Sequence, residues 1–303
     1  MMTKITRNIL FPVHFQNMAL LSVICFCLLC STVAAQEASK AVTWIEQLEH
    51  AQGGYTDRPK GTVSVMSTTA GVRALGYFGS KPKKPADCEK FIISCFDPQT
   101  GGFAASPKGK PAVVPTAVAL MGLKALNSKF DITKSRTYLV QNAHTFEERR
   151  LAIAGMEAFP PIPAEVSPWL TTVKASANRF GVFGPEMGTT WDTGSVAAMV
   201  LRTGSQFPKS QQDIIANFLI TGQTDDGGYW NPTTKTTDLA STYRVVRAIH
   251  LLKAKPKDEN KMKSWLAKCQ NADGGFGNAP KQPSTISATY QAGIILHWLA
   301  TKN

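Results

Sequence analysis

A repeated motif constrains this chain more than any other feature of its 303 residues. An aromatic residue opens each copy, a glutamine follows, and a Gly-Gly-aromatic triplet closes it. The four clear copies begin at Trp44, Phe91, Phe218 and Trp265. In each copy a threonine stands fifteen residues after the first glycine of the triplet, at Thr68, Thr116, Thr242 and Thr289. Four matches at one offset indicate a repeat architecture.

Two weaker copies fill the middle of the chain. One opens at Tyr138 and lacks the Gly-Gly turn, and the other opens at Trp169 and runs through the segment from Phe180 to Gly184. The six starts are separated by 47, 47, 31, 49 and 47 residues. We therefore predict six units, of which the third has lost its turn loop.

Each unit is predicted to be a pair of helices. The aromatic-led segment has helical apolar spacing, the glycines end it because glycine readily adopts left-handed backbone angles, and a second apolar helix follows. The predicted second helices span Val63 to Tyr77, Val113 to Leu126, Glu147 to Phe159, Thr190 to Leu201, Thr237 to Leu252 and Ile286 to Leu299. Small residues are frequent on these helices, as close packing in an inner ring requires.

A helix pair cannot bury its apolar face alone, so neighbouring units must stack. The periodicity suits an open solenoid and a closed ring equally well. The repeats over nearly all of residues 40 to 300 resemble those of protein prenyltransferase β chains and of squalene and oxidosqualene cyclases. That resemblance implies an all-α fold, an α/α toroid of six helical hairpins that closes around a central apolar cavity.

In prenyltransferase β chains, the units that correspond to the fifth and sixth of this chain carry a zinc site and a diphosphate site. Lys235 and Asp238 match the family pattern, so the resemblance implies substrate binding for Lys235 and a catalytic role for Asp238. The remaining positions depart from the pattern: Pro232 replaces the arginine, Ala240 the cysteine, Ser241 the tyrosine, Thr285 the second aspartate and Ala288 the histidine. We therefore expect no bound metal and no cofactor. The alternative for Asp238 and Lys235 is a helix cap and a solvated charge.

A further resemblance concerns the cyclases, in which Trp-Asp-Thr opens an inner helix. Trp191, Asp192 and Thr193 repeat that sequence, which makes Asp192 a candidate proton donor. A capping or hydrogen-bonded structural aspartate is the alternative for Asp192. The Asp-x-Asp-Asp motif that supplies the general acid of those enzymes does not occur in this sequence.

Two functions of different class remain open. The first is an enzyme-like protein that handles an isoprenoid or other apolar small molecule in the central cavity, with Trp191, Tyr243 and Tyr290 as its aromatic walls. The second is a non-catalytic secreted binding or scaffold protein that retains only the fold. A centre filled by its own side chains is the competing structural outcome.

Some polysaccharide lyases also have similar barrels and use basic residues. The arginines that leave this alternative open are Arg149, Arg150, Arg244 and Arg247.

Residues 1–35 are predicted to form a cleaved signal peptide. Lys4 and Arg7 precede an apolar run, and small residues suit cleavage after Ala35. The mature toroid domain would then span residues 36–303 and be secreted or periplasmic. An uncleaved N-terminal membrane anchor is the alternative.

Removal of this segment would lower the formal net charge from +12 to +10. The lysine clusters are interrupted by Pro, Asp and Glu, which is typical of solvated loops, and no nucleic-acid motif occurs, so no nucleic-acid partner is expected. The sequence indicates no particular partner protein. Cys88, Cys95 and Cys269 remain after cleavage, an odd number that favours buried thiols over a disulfide framework.

Overall fold

The computed structural model describes residues 36–51 and 53–301. The predicted signal peptide and Gln52 of the first repeat lie outside the described residues. The helices are α1 (residues 36–46), α2 (Val65–Tyr77), α3 (Pro85–Ser94), α4 (Val113–Ala125), α5 (Thr133–Asn142), α6 (Phe146–Met156), α7 (Ser167–Ala175), α8 (Thr190–Leu201), α9 (Lys209–Thr221), α10 (Leu239–Leu251), α11 (Glu259–Cys269) and α12 (Ile286–Ala300). A 3₁₀ turn, Ala164–Val166, directly precedes α7, and the described residues contain no strand.

The even-numbered helices are the predicted second helices of the six units, and their bounds agree with the prediction to within three residues. The side chain of Ser64 caps α2 by accepting a hydrogen bond from the backbone N–H of Ser67. Helix α6 ends at Met156, before the predicted Phe159, since the prolines at 160 and 161 cannot continue it. Only residues 143–145 connect α5 to α6, which agrees with the predicted loss of a turn loop.

The even-numbered helices form a closed inner ring within the compact unit that begins at Lys40. Helix α2 packs on α4, α4 on α6, α6 on α8, α8 on α10 and α10 on α12, and α12 packs back on α2. The odd-numbered helices from α3 to α11 pack on the outside of this ring. The fold is therefore an all-α toroid, and the open solenoid is excluded. Among the described residues, no helix is long and apolar enough to cross a bilayer.

The repeated threonine joins the two halves of each hairpin. Its buried Oγ1 accepts a hydrogen bond from the backbone N–H of the aromatic residue that ends the Gly-Gly turn. The pairs are Tyr55 with Thr68 at 3.1 Å, Phe103 with Thr116 at 2.8 Å, Tyr229 with Thr242 at 3.0 Å and Phe276 with Thr289 at 3.0 Å. The fourth unit has the same bond, from Phe183 to Thr193 at 3.0 Å. One hydrogen bond therefore explains the threonine in five of the units.

The Gly-Gly turns bring each hairpin against the next outer helix. At Gly227 and Gly274 the φ angles are 108° and 95°, and a Cβ at either position would collide with the backbone carbonyl of Lys261 or Lys40 respectively. A Cβ at the next turn residue, Gly275, would lie 2.6 Å from the Trp44 indole. The last turn therefore packs on the first outer helix, so the outer layer closes as the inner ring does.

The core lies between the two layers of helices. Large side chains there are fully or almost fully buried, including Trp44, Trp265, Tyr55, Tyr229 and Phe103. The free thiols of Cys88, Cys95 and Cys269 are buried in the same layer, which confirms the prediction.

Candidate functional site

A cavity of about 260 Å³ lies inside the ring. Each inner helix contributes to its wall: Met66 from α2, Met121 from α4, Leu151 from α6, Trp191 from α8, Ala240 from α10 and Tyr290 from α12. The centre of the toroid is therefore a chamber, and its own side chains do not fill it completely.

A second compartment of about 520 Å³ adjoins the first. The two share Arg73, Met121, Ala154, Arg202 and Tyr243. The first compartment reaches the beginnings of α8, α10 and α12, whereas the second reaches the ends of α4 and α6. The inner helices therefore run in one direction, and the compartments lie towards opposite ends of the ring.

The three aromatic residues that the sequence analysis expects in the wall do line the first compartment. The hydroxyls of Tyr243 and Tyr290 lie 3.3 Å apart, and their rings make an edge contact with centroids at 5.8 Å. The Tyr243 ring also stacks on the Trp298 indole, with centroids 6.0 Å apart. This arrangement holds the two phenols side by side in the chamber.

Arginines also line the chamber, which makes it more polar than the expected apolar cavity. Their side chains come from four inner helices or their ends and are Arg73, Arg150, Arg202, Arg244 and Arg247. Arg150, Arg244 and Arg247 were expected only as basic residues that leave a polysaccharide-lyase alternative open, and Arg73 and Arg202 were not expected at all. The available signal for Arg73 was its place as the one charged residue of the predicted helix from Val63 to Tyr77, whereas Arg202 stands just past the predicted helix end at Leu201 and gave no such signal.

Glu147 pairs with two of these arginines. Both of its carboxylate oxygens accept hydrogen bonds from Arg244, and Arg150 donates two more to Oε2. Burial alone would raise the pKa of Glu147, but the bonds from Arg244 and Arg150 outweigh it and lower the pKa to about 2. Arg244 also donates to Ser195 and lies 3.9 Å from the centroid of the Trp191 ring.

The other three arginines have weaker partners. Arg202 lies 3.5 Å from Glu157 through Nε, and its side chain is 7% exposed. Arg247 packs against the Trp298 ring at 4.7 Å, and its Nε has no hydrogen-bond partner. Arg73 donates only to neutral groups, the Tyr77 hydroxyl at 3.4 Å and the Met121 sulfur at 3.3 Å.

These guanidinium groups act on Tyr243. Burial opposes ionisation of its phenol, but the positive charges of Arg247, Arg202 and Arg73 outweigh burial and lower the pKa of Tyr243. Burial raises the pKa of Tyr290, the neighbouring phenol. The electrostatic field in the chamber therefore favours negative charge.

The three remaining candidate site residues lie away from the lining of both compartments. Asp238 is the N-cap of α10, and its carboxylate accepts hydrogen bonds from the Ser241 backbone and the Asn231 amide at 2.7 and 2.9 Å. Asp192 accepts a hydrogen bond from the Thr189 hydroxyl at 2.7 Å. Lys235 is exposed in the loop before α10, with a φ angle of 56°.

Metal ligands do not cluster in the part of the chain that the structure describes. No group of three or more His, Cys, Asp or Glu side chains there could hold an ion. Ala240, at the position of the family's zinc cysteine, lies in the chamber wall.

The closed double ring and its chamber define the class of this protein, an α/α toroid with a ligand-sized central space. The family model for the prenyltransferase alpha-alpha toroid domain matches residues 12–87, 83–146 and 162–302, and the chain belongs to this family. No curated protein matches the sequence at a significant level.

Solved structures share the fold at low sequence identity. A variant of the type II terpene cyclase MstE from Scytonema, in complex with geranylgeranyl dihydroxybenzoate, is 11% identical with a TM-score of 0.63, over 88% of this chain and 96% of the cyclase. Candida albicans protein geranylgeranyltransferase-I, complexed with GGPP, is 15% identical with a TM-score of 0.60, over 77% of this chain and 83% of that one. A variant glycosidase is 12% identical with a TM-score of 0.59, over 88% and 96%. At such identities the likeness concerns the fold.

Proposed function

We propose that this toroid binds an elongated, mainly apolar small molecule, such as an isoprenoid, in its central chamber. The observation that carries the proposal is the cavity lined by all six inner helices. The alternative of a scaffold without a ligand gives no role to this space.

The chemistry of the wall supports an apolar ligand. Met66, Val118, Met121 and Leu151 provide aliphatic surface on one side, and Trp191 contributes an indole. Methionine and aromatic side chains adapt to a hydrocarbon chain through large contact areas. Since the terpene cyclase and the geranylgeranyltransferase bind geranylgeranyl compounds on the same fold, an isoprenoid is the first ligand to test.

The size of the chamber suits a chain that extends through the ring. Ligand pockets usually have about 300 to 1,000 Å³. The first compartment, at about 260 Å³, lies just below that range. A ligand that also enters the adjoining compartment of about 520 Å³ would have ample space. We therefore expect the ligand to lie along the axis of the ring.

Binding, rather than zinc-dependent prenyl transfer, is the activity we propose. Asp238 accepts two hydrogen bonds as a helix cap, and Lys235 lies in an exposed loop. Neither residue lines the chamber. A transferase that activates a thiol needs a metal or an equivalent positive group beside it.

Titration of the purified protein with farnesol tests the proposal. We expect saturable binding that Ala240→Phe weakens, because the added ring would enter the first compartment. Ala267→Phe is the matched control, since Ala267 is exposed on the outer helix α11. Thermal melting of both variants checks that they fold. No saturable binding to the unmodified protein would overturn the proposal, as would equal weakening by the two variants.

A further inference from the structure

The chamber holds more positive than negative charge. Five guanidinium groups line its two compartments, whereas the carboxylates paired with them are Glu147 and Glu157. Glu147 is fully engaged by Arg150 and Arg244. Arg73, Arg202 and Arg247 are therefore left with Glu157 alone, which is 3.5 Å from Arg202 and 36% exposed.

Arg73, Arg202 and Arg247 converge on the same compartment from three different helices. Arg73 lies on α2, Arg247 lies on α10, and Arg202 immediately follows α8. The Nε atoms of Arg202 and Arg247 are buried donors without a hydrogen-bond partner. Buried donors and buried charges are costly when unpaired, so these three guanidinium groups need an anionic partner.

The negative ends of the helix dipoles explain only part of this convergence. Inner helices α4 and α8 end near Lys124 and Arg202, where a cation is favourable. Arg73 and Arg247 each stand four residues before the end of their helix, so the last carbonyls do not account for both. Arg73 contacts Tyr77, Met121 and the Tyr290 ring, and Arg247 contacts the rings of Tyr243 and Trp298, so neither has a carboxylate among these contacts.

We infer that Arg73, Arg202 and Arg247 form an oxyanion site, which binds the carboxylate or phosphate head group of the ligand in the chamber. Guanidinium groups suit this role because their planar N–H donors match the oxygen atoms of both anions. The apolar part of the ligand would then extend towards Trp191 in the first compartment. Only the apolar part of the ligand rests on the proposed function, since the arginines can bind an inorganic anion that has no apolar part.

The pKa shifts of neighbouring groups agree with an oxyanion site at these arginines. Burial and repulsion from Arg247 lower the pKa of Arg202 to about 10. The same positive charges lower the pKa of Tyr243, so the chamber already favours an internal anion. A bound oxyanion would neutralise the arginines and so remove the cause of the lowered pKa of Tyr243.

The oxyanion site also lies apart from the residues that the family resemblance implies for diphosphate binding. Lys235 lies outside the chamber in an exposed loop, and Pro232 stands in place of the family's arginine. Head-group binding at the three arginines would therefore not depend on Lys235.

Three ligands with one chain and different head groups test the inference: farnesol, farnesoic acid and farnesyl diphosphate. Titration calorimetry at low salt should give at least one of the two anions an affinity about tenfold or more above that of farnesol. Arg247→Met and Arg73→Met should each lower the affinity for the preferred farnesyl anion to about that of farnesol measured on the same variant. Arg149→Met is the matched control, because Arg149 stacks on Trp169 and lies outside the chamber lining.

The outcomes separate the two proposals. Equal affinity for all three ligands would overturn the oxyanion site and leave the apolar chamber intact. A preference for the farnesyl anion that is lost in Lys235→Ala but kept in Arg247→Met would have the same consequence. Saturable binding of inorganic diphosphate without any farnesol binding would support the site and overturn the proposed apolar ligand. If Arg247→Met does not fold, a competition experiment on the unmodified protein replaces it. Inorganic diphosphate or sulfate should then compete with the farnesyl anion for the site. Absence of competition would contradict the inference.

Discussion

The repeated threonine sets the geometry of a hairpin through one side chain. Thr242 accepts a hydrogen bond from the Tyr229 N–H and donates one to the Asp238 carbonyl at 2.7 Å. It is fully buried, so no water can replace either partner. The turn before the inner helix and the first turn of that helix are thereby joined.

Thr242→Val should therefore destabilise the fold although the shape of the side chain hardly changes. The Tyr229 N–H would remain buried without a partner, at a cost of about 1 to 3 kcal/mol in the free energy of unfolding. Urea unfolding measures this cost. Thr171→Val, an exposed change on α7, should stay within about 0.5 kcal/mol of the unmodified protein. Equal effects of the two changes would show that the turn does not depend on this bond.

Glu147 should make the stability of the toroid depend on acid pH. Its folded pKa of about 2 lies below its ordinary value, so it contributes stability above the ordinary value. That contribution is lost as the pH falls towards 2. Unfolding free energies measured at pH 5 and pH 2.5 should differ less in Glu147→Gln than in the unmodified protein.

The size of this effect is limited by solvent, because 46% of the Glu147 side chain is exposed and its ion pairs are partly screened. Glu165→Gln, in the exposed 3₁₀ turn, is the control and should keep the full pH dependence. A pH dependence unchanged by Glu147→Gln would mean that other carboxylates account for it.

At the scale of elements, the Gly-Gly turns connect hairpins that are distant in sequence. Gly274 combines a left-handed φ of 95° with a direct approach to the Lys40 carbonyl. Gly204 also has a left-handed φ, of 78°, but no atom lies within 4 Å of a Cβ placed there. A comparison of Gly204 with Gly274 therefore separates the cost of backbone strain from the cost of losing close packing.

Gly204→Ala should cost about 1 to 2 kcal/mol of stability from strain alone. Gly274→Ala should cost clearly more, since the alanine methyl group would also push α1 away from the last turn. Thermal or urea unfolding of both variants measures the difference. Similar costs would contradict close packing at the point where the outer layer closes.

The helices and turns could be predicted from the sequence because each depends on local signals. The Gly-Gly turns and helical apolar spacing placed all six inner helices within three residues of their observed bounds. Closure of the ring came from the family resemblance, since no local pattern distinguishes a ring from a solenoid.

The convergence of the chamber arginines could not be predicted in the same way. Arg73 and Arg247 lie on α2 and α10, and their meeting depends on the rotation of both helices and on the closure of the ring. Asp238 and Lys235 were chosen by position in a family motif, which does not reveal whether a side chain enters the chamber. The aromatic residues Trp191, Tyr243 and Tyr290 were easier to place, because each lies on a predicted inner helix.

At the scale of the whole molecule, the N-terminal segment remains a separate proposal. We expect the exported protein to begin near Gln36, since small residues precede that position. N-terminal sequencing of protein from the cell exterior or periplasm measures this directly. Ala35→Arg should block cleavage because signal peptidases require small residues there. Retention of Met1 in the unmodified exported protein would favour the membrane anchor.

The contact of Gly275 with Trp44 also bears on how the toroid can lose its structure. Open repeat arrays fray from their terminal repeats, and these need specialised capping repeats with a polar outer face. Here the first and last hairpins cap each other, through Trp44 outside and through α12 on α2 inside. Such a chain has no terminal repeat, so partial unfolding from one end must break two interfaces at once, and the six hairpins should open as one cooperative unit.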